Sequence, residues 1–262
     1  MSQSQWALVT GASSGIGFEL AREFVEHGYD VIVAAEDDAI HAVPERLARN
    51  GTRIEAVQVD LGEPDGPATL YETATSGGRY LDAAALGAGI GSGGLFVETD
   101  IAQDLAVIDL NVRSTVLLAK LVVRDMAARG AGKVLFTSSV AATMPGPKQP
   151  VYNASKSFVQ SFAEALRDEL KDSGVTVTAL MPGATDTNFF DRARMGDTVM
   201  GRMPKDDPAK VAAKGFQALM DDKQKVVASS LVSKLLFNTN RLLPDAVTAK
   251  GNKLMSSVLP KR

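Results

Sequence analysis

The residue types that could catalyse a reaction converge on one stretch of this sequence, 136–156. Tyr152 and Lys156 are four residues apart, so on a helix they would share one face, with Cβ atoms about 6 Å apart. A free phenol titrates at about pH 10, and a nearby ammonium favours the phenolate. We therefore expect Tyr152 to have a lowered pKa and to exchange protons near neutral pH. Ser139 follows a predicted strand and could hold the same substrate oxygen. Taken alone, the four-residue spacing of Tyr152 and Lys156 is more typical of a surface tyrosine on an ordinary amphipathic helix.

The elements that must position these residues alternate along the chain. Short apolar runs predict strands at 6–10, 31–35, 54–59, 81–86, 133–138 and 175–180, with a further strand at 225–228. Helical spacing is found over 15–28, 44–50, 64–75, 101–129, 151–172 and 208–220, where Gly51 is expected to cap the second helix and the fourth is interrupted near Asn111. Continuous apolar strands that alternate with helices predict an α/β fold, a doubly wound parallel β-sheet with helices on both faces.

Composition excludes several kinds of site. The sequence has no cysteine, which excludes disulfides and thiolate chemistry, and its two histidines, His27 and His41, argue against a metal site. A net charge of −3 indicates no nucleic-acid surface. The amino terminus lacks the features of a signal peptide, and no uncharged apolar run reaches the roughly 18 residues of a transmembrane segment. We therefore expect a cytoplasmic protein.

The chain is interpreted as a single domain, with a core over 1–228 and a carboxyl-terminal helical extension over 229–262. Within the core, 185–205 is irregular and long for a connection, which is typical of a lid. Its apolar side chains could line a substrate pocket or pack against the protein body: Phe189, Phe190, Met195, Val199, Met200 and Met203. Helices predicted at 231–243 and 245–258 could pack across the sheet edge, join copies of the chain, or lie on a membrane surface.

A glycine-rich turn, Thr10-Gly-Ala-Ser-Ser-Gly-Ile-Gly17, joins the first strand to the first helix. Gly11 permits the tight turn, Gly15 lets the backbone approach a diphosphate, and Gly17 lets the helix pack close to the sheet. The helix amino terminus then offers free N–H groups to the phosphates. This context predicts a dinucleotide site.

Acidic residues follow the second strand, where Glu36 could bind an adenosine ribose and repel a 2′-phosphate, which favours NAD over NADP. The alternative is that these charges are simply solvated at the start of a loop. Asp60 and Leu61 end the third strand and could border an adenine. Ala88 and Gly89 follow the fourth strand, where the bare backbone could pass close to the cofactor.

Taken together, these residues resemble the short-chain dehydrogenase/reductase family in its single-domain form, over about residues 5–228. The matching positions are Thr10-Gly-x-x-x-Gly-x-Gly17, Asp60, Ala88-Gly89, Asn111, Ser139, Tyr152-x-x-x-Lys156 and Pro182-Gly183. The resemblance implies a Rossmann-type fold and an NAD(P)(H) cofactor. We also expect a homodimer or homotetramer.

The resemblance also implies a role for each catalytic position. Tyr152 would be the acid/base, and Lys156 would lower its pKa and hold the nicotinamide ribose. Ser139 would hold the substrate oxygen, and Asn111 would hold a water in a proton relay. The cofactor would contact Gly11, Ser13, Ser14, Gly15, Ile16 and Gly17 through its phosphates, and Pro182, Gly183, Thr185 and Thr187 on its nicotinamide side.

The sequence departs from the family pattern at two points. Leu86-Gly87-Ala88-Gly89 stands where Asn-Asn-Ala-Gly is usual, and Ala35 stands where the NAD-selecting acid usually falls. The expected function is an NAD(P)-dependent oxidoreductase that interconverts a ketone or aldehyde with an alcohol by hydride transfer, and the expected partner is this small-molecule carbonyl or alcohol substrate. The alternatives are a catalytically silent dinucleotide-binding regulator and a related epimerase or dehydratase on the same fold.

Overall fold

A seven-stranded, fully parallel sheet forms the centre of the protein, in the order β3-β2-β1-β4-β5-β6-β7. The computed structural model describes residues 4–49, 51–228, 251, 253 and 255–257. The strands are β1 (Trp6–Thr10), β2 (Asp30–Ala35), β3 (Ile54–Gln58), β4 (Ala83–Leu86), β5 (Gly132–Thr137), β6 (Val175–Pro182) and β7 (Lys225–Ala228). The strand order reverses beside β1, so a crevice opens between the carboxyl ends of β1 and β4.

Helices cover both faces of this sheet. They are α1 (Gly15–Glu26), α2 (Val43–Leu47), α3 (Gly66–Ala74), α4 (Ile101–Ile108), α5 (Thr115–Arg129), α6 (Pro150–Glu169), α7 (Phe189–Arg192), α8 (Val199–Arg202) and α9 (Pro208–Met220). Side chains of α1, α2 and α9 pack on one face, and those of α3, α5 and α6 pack on the other. Consecutive strand residues therefore enter opposite cores, as Leu8 and Val9 do on β1. Burial on both faces explains why the strands read as continuous apolar runs.

The predicted strands and the doubly wound topology are confirmed, although several predicted boundaries differ from the structure by one to three residues. The second helix ends at Leu47, where Ala48 already has an extended ψ of 126°, so Gly51 does not cap it. The fourth strand begins at Ala83 rather than Leu81. Leu81, the first residue of the predicted strand, lies before the strand, and its carbonyl accepts a hydrogen bond from the Arg129 guanidinium at 2.6 Å.

The interruption predicted near Asn111 is a π-helical segment, Asp109–Ser114, which joins α4 to α5. The helices predicted at 231–243 and 245–258 fall almost entirely outside the described residues. Among the helices of the described part, none combines the length and the apolar character that crossing a membrane requires.

Candidate active site

A cleft of about 220 Å³ lies at the carboxyl ends of the strands. Its walls come from the glycine turn after β1, the loop after β4, the end of β5, the first turns of α6 and the segment after β6. The cleft brings together these residues that the sequence singled out: Gly11, Ser13, Ser14, Gly15, Ile16, Gly17, Glu36, Ala88, Gly89, Ser139, Tyr152, Lys156, Pro182, Gly183, Thr185 and Thr187. Asn111, Asp60 and Leu61 do not line it.

Tyr152 and Ser139 meet inside this cleft. Ser139 begins a short 3₁₀ turn, Val140–Thr143, and its hydroxyl oxygen accepts a hydrogen bond from the backbone N–H of Ala141 at 3.1 Å. That contact leaves the Ser139 proton free, and the hydroxyl acts on the Tyr152 phenol in the direction that lowers its pKa. The two hydroxyls both line the cleft.

Lys156 lies one turn along α6 from Tyr152. Its ammonium nitrogen lies 6.0 Å from the centre of the Tyr152 ring. The same nitrogen donates a hydrogen bond to the backbone carbonyl of Thr137 at 2.9 Å, which ties α6 to the end of β5. Both side chains are buried, since Tyr152 is 9% exposed and Lys156 is 6% exposed.

Burial dominates the protonation of both groups. It raises the pKa of Tyr152 to about 12, against the opposing effect of the Ser139 hydrogen bond. Burial also lowers the pKa of Lys156 to about 8. The prediction of a lowered Tyr152 pKa is therefore wrong for this structure. Loss of water disfavours the phenolate more strongly than the structure stabilises it.

Asn111 supports the cleft from behind. The π-helical segment holds its side chain where it accepts from the N–H of Ile90 and donates to the carbonyl of Ile90, both at 2.9 Å. It also donates to the Ser155 hydroxyl on α6 at 2.9 Å. A Cβ added to Gly89 would lie 3.0 Å from the Asn111 amide oxygen and 3.2 Å from the Lys156 nitrogen. A side chain at position 89 would therefore crowd both of these polar groups.

Several supporting residues were missed by sequence reasoning. The Ser138 hydroxyl donates to the carbonyl of Lys156 at 3.1 Å, and the Asn153 amide donates to the carbonyls of Ala141 and Met144. The Thr10 hydroxyl accepts from two consecutive N–H groups of the loop after β4, at 3.0 and 3.1 Å. The only sequence signal for these contacts is that polar residues occur at strand ends and in the first turn of a helix.

The glycine turn has the geometry that a diphosphate group requires. Gly11 has a φ of +68°, and a Cβ there would lie 3.1 Å from the Cα of Ala88. A Cβ at Gly17 would collide with the carbonyl oxygen of Gly11. Helix α1 begins at Gly15, and the Ser14 side chain makes no capping hydrogen bond, so the first N–H groups of α1 remain available on the cleft side. Unpaired N–H groups at a helix amino terminus fit a dinucleotide phosphate.

The acidic residues after β2 have separate roles. Glu36 is exposed and lines the cleft. Asp37 accepts from the Ser13 hydroxyl at 2.8 Å and from the N–H of Ala39, so it braces the glycine turn. Asp38 accepts from the Gln58 amide at 2.7 Å. Of these three carboxylates, Glu36 is the one that lines the cleft.

The lid segment is folded back on itself. Its ends are joined by backbone hydrogen bonds of 2.8 Å from Asp186 to Asp206 and from Asp206 to Ala184. Phe190, Ala193 and Met195 are buried together in a small core of the lid. The ring of Phe189 lies 5.2 Å from that of Tyr152. Phe189, Phe190 and Met200 line the cleft, whereas Met195 packs in the core of the lid itself rather than in either core of the sheet.

Comparison with known proteins agrees with this geometry. The model of the short chain dehydrogenase family matches residues 5–197. Versicolorin reductase 1 of Aspergillus parasiticus is 35% identical over 187 residues, which cover 70% of this chain and 71% of that protein.

Two solved structures have similar folds. A short-chain dehydrogenase from Sphingobium yanoikuyae in complex with NADPH matches with a TM-score of 0.81 and 26% identity, over 98% of this chain and 97% of that one. A short-chain dehydrogenase/reductase from Burkholderia phymatum in complex with NAD matches with a TM-score of 0.82 and 22% identity, over 92% of each chain. The chain described here therefore belongs to the short-chain dehydrogenase/reductase family of NAD(P)-dependent oxidoreductases.

Proposed function

We propose that this protein interconverts a ketone or aldehyde with the corresponding alcohol, and that Tyr152 transfers the proton. The observation that carries this proposal is that Ser139 and Tyr152, both buried, line the same cleft as the free amino terminus of α1. The bound nicotinamide cofactor would supply or accept the hydride, while the protein supplies orientation and a proton.

The roles of the side chains follow from their protonation. With a pKa of about 12, Tyr152 holds its proton at pH 7 and can give it to the oxygen of a carbonyl as that oxygen gains negative charge. Ser139 would hold the same oxygen through its own hydroxyl. Lys156, fixed by the Thr137 carbonyl, would hold the cofactor ribose. Phe189, Met144 and Met200 give the substrate end apolar walls, which favours a substrate with an apolar body.

The test is Tyr152→Phe, with Tyr71→Phe on α3 as the matched control. Loss of the general acid should lower turnover about 10²-fold to 10⁴-fold, while cofactor affinity stays close to that of the unaltered protein. The measurements are nicotinamide absorbance during turnover of a ketone panel and fluorescence titration of the reduced cofactor. Near-full turnover by Tyr152→Phe would refute the assignment.

We also infer a preference for NAD, because Glu36 is the carboxylate that lines the cleft. At this exposed position, the Glu36 carboxylate and the 2′-phosphate of NADP would repel each other by about 1 kcal/mol at a separation of about 4 Å. That free energy corresponds to roughly a fivefold preference for NAD. Glu36→Arg should shift the ratio of kcat/KM toward NADPH. Asp38→Arg, which makes the same charge change at a residue that does not line the cleft, should shift it less. A wild-type preference for NADPH would contradict the inference.

We further infer a homo-oligomer formed through the outer face of α4. Ile101, Leu105 and Ile108 are spaced four and three apart, so they share one helix face, and they are 64%, 50% and 43% exposed. Light scattering after size exclusion should give a dimer or tetramer that Leu105→Glu disrupts. Tyr80→Glu, at a residue 51% exposed beside Arg129, is the matched control. A wild-type monomer would exclude the assembly.

A further inference from the structure

A second cavity, of about 230 Å³, lies next to the catalytic cleft. It opens where the loop after β4, the turn before α6 and the lid meet, and Ser256 also lines it. Backbone hydrogen bonds fix the three segments together, from Gly93 to the carbonyl of Ala193 at 3.1 Å and from Gly94 to the carbonyl of Lys148 at 2.8 Å. The walls of the cavity are therefore held together by backbone hydrogen bonds. The cavity adjoins the cleft, because Lys148 lines the cavity and the next residue, Gln149, lines the cleft.

Among the residues that the structure describes, two cationic residues line this cavity, and both have a backbone conformation that favours glycine. Lys148 has a φ of +69° and stands third in a turn closed by a 2.8 Å hydrogen bond from Gln149 to Gly146, directly after Pro147. Arg194 has a φ of +57° just after α7, where the N–H of Met195 bonds the carbonyl of Phe190. Each turn explains the positive φ, but glycine would adopt it with less strain.

A third non-glycine residue with positive φ, Asp222, has a side chain that interacts within the protein. Asp222 has a φ of +54°, and its carboxylate accepts a 2.8 Å hydrogen bond from Arg167. Its side chain therefore has a partner within the protein. Lys148 and Arg194 differ, because neither side chain makes a hydrogen bond or ion pair with the rest of the described chain.

The charge around the cavity favours an anion. Lys148 and Arg194 contribute two positive charges, and Glu98, also in the lining, contributes one negative charge. Within the described residues, Glu98 lies in no salt bridge with either cation. We propose that Lys148 and Arg194 together bind a phosphate or carboxylate group in this cavity. A guanidinium and an ammonium are the side chains best suited to hold such a group.

The anion could come from either of two sources. It could be the acidic end of a substrate whose carbonyl lies at Tyr152, since Gln149 lines the cleft and donates to Ser256 of the second cavity at 3.3 Å. It could instead be a free anion that regulates the lid. The first source rests on the proposed function, whereas binding of an anion to the cavity does not depend on any catalytic activity.

The test measures binding of inorganic phosphate at constant ionic strength, by isothermal titration calorimetry and by thermal unfolding. Arg194→Gln and Lys148→Gln should each weaken phosphate binding about tenfold, because each removes a charged hydrogen-bond donor. Glu98→Gln should strengthen binding about twofold to fivefold. The matched control is Lys120→Gln, which removes an exposed cation on α5.

Glycine variants separate a binding role from a structural one. Lys148→Gly and Arg194→Gly should raise Tm by about 1–3 °C through relief of strain, yet weaken phosphate binding as the glutamine variants do. Asp222→Gly should raise Tm less than the other two glycine variants, because it also removes the carboxylate that accepts a hydrogen bond from Arg167. Phosphate binding that is unchanged in the Arg194 and Lys148 variants, or weakened equally by Lys120→Gln, overturns the proposal.

A pair of ketones then identifies the source of the anion. The probes are 3-benzoylpropionate and its methyl ester, which differ in one negative charge. If the substrate supplies the anion, Arg194→Gln should reduce kcat/KM for the acid about tenfold and leave the ester unchanged, and phosphate should compete only with the acid. If the anion is free, phosphate should change the turnover of both ketones to the same extent. Inactivity toward both ketones would count against the proposed function, whereas the binding of phosphate to the cavity would still be tested by calorimetry.

Discussion

Replacement of Lys156 by methionine should stabilise the folded protein at pH 7 while it removes activity. Lys156 is 6% exposed, and burial lowers its pKa from 10.5 to about 8. That change corresponds to about 3 kcal/mol in favour of the neutral amine. Because the side chain is charged at pH 7, the folded state carries this free energy as a penalty. Methionine fills a similar volume without a charge.

Part of the gain is offset by a lost hydrogen bond. The Lys156 nitrogen donates to the carbonyl of Thr137 at 2.9 Å, and methionine leaves that carbonyl without this donor. The loss is worth about 1–2 kcal/mol. The net expectation is a variant about 1–2 kcal/mol more stable than the unaltered protein at pH 7. Turnover should fall sharply, because the proposed ribose contact disappears.

The sign of the pH dependence provides a second check. Between pH 8 and 10.5 the unfolded chain keeps the Lys156 proton that the folded protein has released. Unfolded protein then binds more protons, so the stability of the unaltered protein rises with pH across this window. The advantage of Lys156→Met should be largest below pH 8 and should shrink by about 2 kcal/mol by pH 9.5. Measurements stop there, because the raised pKa of Tyr152 acts with the opposite sign above about pH 10.

The assay is urea unfolding of both proteins at pH 7 and pH 9.5, with Lys120→Met as the control. Lys120 is exposed on α5, so the same chemical change there should give a small effect with no pH dependence. Titrating groups that lie far from Lys156 are shared and cancel in the difference between variant and parent. A Lys156→Met protein that is less stable than the parent at pH 7, or a difference that stays constant with pH, would refute the reasoning.

Three further predictions concern the serine, the glycine turn and the lid. Ser139→Ala removes the hydrogen bond that opposes the raised pKa of Tyr152, so the pH profile of alcohol oxidation should move upward; an unmoved profile would contradict this coupling. Gly17→Ala should lower the free energy of unfolding in urea by about 1–3 kcal/mol and weaken cofactor binding, because the new Cβ collides with the Gly11 carbonyl. The control is Gly28→Ala, where φ is +83° and the space is open, so it tests backbone strain alone and should leave cofactor binding intact. Limited proteolysis within 185–205 should slow when cofactor and substrate are both present, and equal cleavage with and without them would count against a mobile lid.

Much of the fold could be predicted because the signals are local. Strands buried on both faces read as uninterrupted apolar runs, and the positions of Gly11 and Gly17 specify a tight turn into a helix. The four-residue spacing of Tyr152 and Lys156 is likewise a property of one helix. Each of these inferences depends on neighbours within a few residues, which sequence shows directly.

The contacts that were missed join segments that are distant in sequence. The Thr10 hydroxyl accepts from Gly87 and Ala88, and the Asn111 side chain reaches Ser155. The helical pattern runs on to residue 50, whereas α2 ends at Leu47. Partner identity at such distances depends on the packed sheet, which no local pattern specifies.

The protonation of Tyr152 is where sequence and structure differ most, and the difference bears on function. Spacing along α6 indicates that a cation lies nearby, but it does not indicate how far water is excluded. In the folded protein the Lys156 nitrogen is 6.0 Å from the ring centre and already bonded to the carbonyl of Thr137, while Phe189 lies 5.2 Å from the ring on the lid side. Because its pKa is raised, Tyr152 is protonated at pH 7, so the phenolate that could accept a proton from an alcohol is scarce. The protonated phenol can still donate its proton once an oxygen of higher basicity forms beside it. We therefore infer that the site is better prepared to reduce a carbonyl at neutral pH than to oxidise an alcohol, and that oxidation should gain relative to reduction as pH rises.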